Sequence, residues 1–176
     1  MAGRDPLANS SFLIRRIYSY VAYRIGDGPD AEDVTSEVFE RALRYRESYD
    51  PARGTPLGWL LGIARRCVED AAVRRWRVTP LDVPDRASTE DVEAEVVQRL
   101  TVAAAIGRLD ERARNLLALR YGADLSARQI GQVLGLKTNA VEVALHRALV
   151  RLRTELDEAQ GTARPRLDDP AARASP

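Results

Sequence analysis

One cysteine and one histidine are present in 176 residues, and each scarcity removes a class of chemistry. Cys67 alone makes no intramolecular disulfide, and His146 alone cannot anchor a metal site with several protein ligands. His146 also has no serine, cysteine or paired acid near it in sequence to activate. No glycine-rich phosphate loop occurs. No run approaches the roughly 20 apolar residues of a bilayer span, and the opening Met-Ala-Gly-Arg-Asp-Pro lacks the apolar core of a secretory signal. Period-two alternation of apolar residues is missing as well, which excludes strands. These absences predict a non-enzymatic cytoplasmic protein without metal, cofactor or membrane insertion.

Lysine is equally scarce. Of 27 basic residues only Lys137 is one, and the net charge is +1. Arginine suits phosphate and guanine contacts, but the same bias follows from a GC-rich genome, so it weighs on neither side. What remains is helical periodicity. From Phe12 the chain sets Phe12, Ile14, Ile17, Tyr18, Val21 and Ala22 on one side and Arg15, Arg16 and Arg24 on the other. Gly26 to Asp30 is a break. A helix over 30–46 follows, with Val34, Val38, Phe39 and Ala42 inward and Asp33, Glu37, Glu40, Arg41 and Arg44 outward. After the loop Tyr49–Pro56, a helix over 56–77 buries Leu57, Leu60, Leu61, Ala64, Cys67, Val68, Ala71 and Ala72. Its opposite face holds Arg66, Asp70 and Arg74 four apart. Such a ladder is explained by self-pairing, and equally by an unstacked nucleic-acid strand lying against it.

Residues 78–95 carry two prolines and six carboxylates against one arginine, the composition of a linker. Helical spacing returns at Val96, Val97, Leu100, Ala103, Ala104 and Leu109. Asp110 then stands as N-cap of a helix running to Tyr121. The expected architecture is all-α: two small helical domains, 10–77 and 96–156, joined by an acidic flexible linker, with a disordered tail over 157–176.

The second domain ends in the most informative stretch, residues 125–153. Ser126 and Gln129 form a capping box before Ile130, Val133 and Leu134. Gly135 sits where a helix stops in the left-handed conformation. A second helix buries Val141, Leu145, Ala148 and Leu152, Gly131 permits close approach of the two helices, and Leu136 plugs the core. This is a helix-turn-helix, whose second helix suits the major groove; an ordinary helical hairpin is the plainer alternative.

Ala31–Ala42, Trp59–Arg66 with Asp70 and Arg74-Arg75, Leu109–Arg112, Ala127–Leu136 and Leu145–Leu149 together resemble bacterial RNA polymerase sigma factors of the sigma-70 family, extracytoplasmic-function type. The resemblance implies a subunit that binds core RNA polymerase and directs initiation at promoters by recognising −10 and −35 elements. It implies that Asp33, Ser36, Glu37, Phe39 and Glu40 dock on the clamp coiled coil of the largest subunit. It places Arg53, Gly54, Thr55, Trp59, Arg66, Asp70 and Arg74 at the −10 element, where a base is captured flipped out of the stack. For the −35 element, Asn139, Glu142, Val143, His146 and Arg147 are expected on bases and Arg128, Lys137 and Thr138 on phosphate. An anti-sigma factor is the further implied partner. The chain departs from the family at Ser36, where glutamine is common, at Arg66, where asparagine is, and at Gln129, where glutamate is. Glu142-Val143-Ala144 replaces a more basic or hydroxyl-bearing run. A carboxylate there can accept from cytosine N4, and Val143 can touch a thymine methyl. Two other readings stay open: a free-standing helix-turn-helix regulator, and an interaction protein that binds polymerase without reading a promoter.

Overall fold

The computed structural model describes residues 5–78 and 101–162, with side chains over 5–74 and 101–159. The proposed linker from residue 79 onward and most of the proposed tail fall outside the described residues, as do Val96, Val97 and Leu100. Every regular element described is helical.

The first group comprises α1 (Ser10–Ile25), α2 (Pro29–Arg44) and α3 (Pro56–Val78). Pro29 sits in the first turn of α2, where a missing N–H costs nothing, and Asp30 and Glu32 meet the positive end of the dipole. Gly26 and Gly28 hold φ values of 95° and 127° in the connection, a conformation side chains rarely adopt. Ile17, Val21, Ala31, Val38, Ala42, Leu60, Ala64 and Cys67 are fully buried between the three helices.

The second group begins with α4, described over 101–108. Asp110 accepts from Ala113 N at 2.8 Å and starts α5 (Glu111–Leu117). That helix does not run straight to Tyr121. It widens into a π turn over Ala118–Gly122, closed by Ala123 N donating to Ala118 O at 2.8 Å. Then come α6 (Ala127–Leu134) and α7 (Thr138–Thr162).

The two groups share one buried cluster. Leu116, Ala118, Leu119 and Ala123 from the α5 segment pack with Leu13, Ile17, Tyr20 and Val21 of α1. This packing explains several departures from the sequence pattern. Arg24, expected to face solvent, is buried with a side chain 3% exposed, because α5 covers it. Arg16 is half-buried for the same reason and donates to Ala123 O and Asp124 O at 2.5 and 2.9 Å. Phe12 and Ile14 are exposed instead, since α1 turns the neighbouring stripe Leu13–Ile17–Tyr20–Val21 inward. Ala72, Ala103 and Ala104 are exposed too, and Ala105 takes the buried position in α4. Alanine buries so little surface that it marks a helix face poorly. Finally, α7 continues to Thr162 rather than ending at residue 156. Glu155 and Leu156 remain half-buried, so the chain does not leave the body of the protein there.

Candidate nucleic-acid interface

The helix-turn-helix forms as its residues dictate. Gln129 N donates to Ser126 Oγ at 3.3 Å, and the Gln129 side chain accepts from Ser126 N at 2.9 Å. The two ends of the capping box thus satisfy each other. Gly135 is left-handed at φ 68°, and Leu136 N donates back to Gly131 O at 2.8 Å. The close approach at Gly131 is made by the turn, not by the second helix: a Cβ there would stand 2.6 Å from Leu136 O. Leu136 packs half-buried against the core.

Val141, Leu145 and Ala148 are buried, which fixes the rotation of α7. Asn139, Glu142, Val143, His146 and Arg147 are all exposed. Their spacing of three, one, three and one makes a single outward stripe. Arg128 and Lys137 are exposed beside it, and Thr138 is half-buried at the first turn. Next to the stripe runs an open groove of about 660 Å³, lined among others by Asp110, Arg112, Asn139, Val143, Arg147 and Arg151. Arg112 and Arg151 are two cations at this groove that sequence reasoning passed over. The signal was available for Arg151, which follows Arg147 by four residues. It was not available for Arg112, which reaches the groove only through the packing of α5 on α7. Arg151 is held by the Asp110 carboxylate. The Ala113 N–H and then Arg151 keep that carboxyl below the usual aspartate range, while partial burial works against them.

The loop before α3 is ordered by short-range bonds. Ala52 N donates to Asp50 Oδ1 at 2.9 Å, Tyr49 Oη to Gly54 O at 3.0 Å, and Gly58 N to Thr55 Oγ1 at 3.1 Å. Arg53, Gly54 and Thr55 are exposed on it. Trp59 is half-buried, its ring 5.6 Å from that of Tyr49 at an interplanar angle of 57°. Tyr49 therefore belongs with this group, although its place in a polar loop gave no reason to select it.

Arg66, Asp70 and Arg74 lie along the exposed side of α3. They do not pair with one another as the ladder suggested. Asp70 accepts from Arg41 of α2 at 2.8 Å, and Arg74 donates to Glu37 of α2 at 2.9 Å. Glu37 also accepts from Arg41 at 2.5 Å. The two faces that sequence reasoning kept apart are thus one charged seam between α2 and α3. Beside Glu37 on the outward face of α2, Asp33, Ser36 and Glu40 are exposed, with Ser36 Oγ donating to Glu32 O at 2.9 Å. Phe39 is half-buried against the core.

Comparison with known proteins identifies the family. Residues 13–78 match Sigma-70 region 2 and residues 99–152 match Sigma-70, region 4. The ECF RNA polymerase sigma factor SigD of Mycobacterium tuberculosis H37Rv is 35% identical over 158 residues, covering 80% of this chain and 71% of its own. SigE of Mycolicibacterium smegmatis is 35% identical over 150 residues, 80% of this chain, and BldN of Streptomyces coelicolor 32% over 141, 76% of this chain. The chain spans 57% and 53% of the lengths of those two relatives. Among solved structures, CnrH in complex with the cytosolic domain of CnrY has a TM-score of 0.57 at 24% identity, covering 85% of this chain and 82% of that one. RpoE of Bartonella quintana, in complex with the anti-sigma factor NepR, scores 0.59 at 15% identity, covering 88% and 95%. At such identities the structures speak for the fold. The sequence matches go further, and the chain belongs to the sigma-70 family as an extracytoplasmic-function RNA polymerase sigma factor.

Proposed function

We propose that this chain binds core RNA polymerase and directs promoter-specific initiation by recognising −10 and −35 elements. The observation that carries the reading is the outward stripe Asn139, Glu142, Val143, His146 and Arg147 on α7, behind a fully formed capping box and turn. Five adjacent side chains with no share in the core are the arrangement a major-groove reader requires. Arg128, Lys137 and Thr138 then serve as phosphate contacts, which position the helix without specifying sequence.

The loop Arg53–Thr55 with Trp59, Arg66, Asp70 and Arg74 is assigned to the −10 element. Its exposed arginines are suited to the backbone of a melted strand, and the Tyr49–Trp59 pair offers ring surface to an unstacked base. Asp33, Ser36, Glu37, Phe39 and Glu40 are assigned to the polymerase clamp coiled coil. The work is binding, not bond-making, and it is done in the cytoplasm, where the polymerase is. No described helix is long and apolar enough to cross a membrane. An anti-sigma factor is the expected inhibitor; the Bartonella protein was solved in complex with one, NepR.

Net charge of +1 supports dependence on polymerase, because few excess cations give little salt-driven affinity for duplex alone. The deciding experiment adds purified chain to core RNA polymerase and measures run-off transcription from promoter templates. Promoter-specific transcripts establish the reading. Duplex binding without core points instead to a free-standing regulator, and core binding without transcripts to a pure interaction protein.

A further inference from the structure

We infer that Arg151 is a further phosphate-binding residue of the −35 interface, and that the Asp110 carboxylate withholds it from DNA until a phosphate takes the carboxylate's place. The inference rests on the function proposed above. Three cations, Arg112, Arg147 and Arg151, stand around the groove between α5 and α7. Among the described residues Arg112 and Arg147 have no carboxylate partner, whereas Arg151 is paired with Asp110. The two oxygens of Asp110 divide the work. Oδ1 accepts from Ala113 N at 2.8 Å and caps α5, which fixes the carboxylate in place. Oδ2 is left to hold the Arg151 guanidinium.

The position of Arg151 suits a phosphate. It follows Arg147 by four residues, about 6 Å along α7, and is turned about 40° from it toward α5. The base-reading stripe points into a major groove about 12 Å wide, a width that one helix with its side chains fills. A side chain at the flank of such a helix meets the sugar–phosphate wall and not the base edges. Beside Arg151 the groove is lined by the short residues Ala113, Ala144 and Ala148, which leaves room for a strand to lie close. The contact with Asp110 is readily exchanged. The Asp110 and Arg151 side chains are 51% and 62% exposed, and an ion pair so open to water is weak. A phosphate offers the same guanidinium a charged acceptor of matching fork geometry. Binding then leaves Asp110 to its cap and gains Arg151 as a phosphate contact. Such a contact carries no sequence information, so Arg151 raises affinity at every −35 sequence alike.

The test uses holoenzyme assembled from the full chain and core RNA polymerase, with promoter affinity measured between about 50 and 200 mM salt. Arg151→Ala is expected to weaken binding by a similar factor at every −35 variant. It should also flatten the salt slope by about one, so that the loss of affinity across this range shrinks three- to fourfold. Arg151→Lys is expected to keep the slope. Asp110→Asn retains the cap and is expected to tighten binding by about two- to fivefold, the worth of an exposed ion pair. In the Arg151→Ala background, Asp110→Asn is expected to change nothing. A gain that persists without Arg151 would mean plain repulsion between Asp110 and DNA, and overturns the withholding. An unchanged slope in Arg151→Ala overturns the contact. If the wild-type chain confers no promoter preference on core polymerase, the sigma-factor reading fails and this proposal falls with it. Promoter preference in the wild type with identical binding by every variant overturns this proposal alone.

Discussion

Arg74 of α3 donates to Glu37 of α2 at 2.9 Å, joining a residue assigned to promoter DNA to one assigned to polymerase. Neither charge is free while the other is in place. The Arg74 side chain is 56% exposed, however, and ion pairs so open to water contribute little to stability. In a double-mutant cycle of Glu37→Ala and Arg74→Ala, the coupling in urea denaturation is expected below about 1 kcal/mol. The same cycle read by run-off transcription is expected to be non-additive, because Glu37→Ala releases Arg74, whereas Arg74→Ala leaves Glu37 held by Arg41 alone. Additivity in transcription would separate the two faces again.

Asp110 caps α5 and holds Arg151, and both partners favour its charged form. Asp110→Ala is expected to cost about 1 kcal/mol at neutral pH, the usual worth of an N-cap, or roughly 2–4 °C in Tm for a chain of this size. Because the folded carboxyl titrates below its unfolded value of about 4, the stabilisation is complete above that value. It disappears as pH falls through the folded value. Asp110→Asn keeps the cap and is expected to lose this acid dependence. Thermal melts of the three chains between neutral and acid pH check both statements.

These two residues show what sequence reasoning reaches and where it stops. Caps, turns and apolar stripes are local, so Asp110, Ser126, Gly135 and the face Val141–Leu145–Ala148 are read from spacing alone. The seam from Glu37 to Arg74 spans 37 residues, and the clasp from Arg24 to Asn115 spans 91. No helical period encodes such partners. An arginine bound for a buried clasp looks in sequence like one bound for water, and so spacing alone puts Arg24 on the wrong side of α1. The exposed stripe of α7 was readable because it is the remainder after the core is assigned.

Two helical glycines are expected to respond oppositely to alanine. Gly131→Ala forces a Cβ to within 2.6 Å of Leu136 O, in a turn fixed by its own hydrogen bond. A loss of about 2 kcal/mol is expected, the range for overpacking, together with loss of −35 binding. Gly62→Ala, in the interior of α3 with nothing within 4 Å of the new methyl, is expected to gain about 0.5–1 kcal/mol from helix propensity. Urea denaturation of both variants measures the two signs.

Glu142 stands exposed in the middle of the α7 stripe, the one carboxylate among the five stripe residues. A carboxylate facing a phosphate is repelled, whereas one facing cytosine N4 accepts a hydrogen bond. Glu142→Ala in the polymerase complex is expected to change the order of preference among −35 variants, by about 1–3 kcal/mol at the base it reads. Selection of randomised −35 sequences gives the order directly. A uniform change across all sequences would show that Glu142 senses only the backbone.

The π turn at Ala118–Gly122 lodges one residue more than a regular helix would carry between the clasped helix and the DNA-reading pair. Deleting any one of its five residues would remove the wide bond from Ala123 N to Ala118 O and draw Gly122 away from its close approach to Ser19 and Tyr20. Substitution can drift at the exposed Arg120 and Tyr121 but not at the buried Ala118, Leu119 and Gly122, and no change in length can. The protein's tolerance to insertion and deletion therefore has a hard stop here, and the aim of one half of the molecule relative to the other is written in a count of residues.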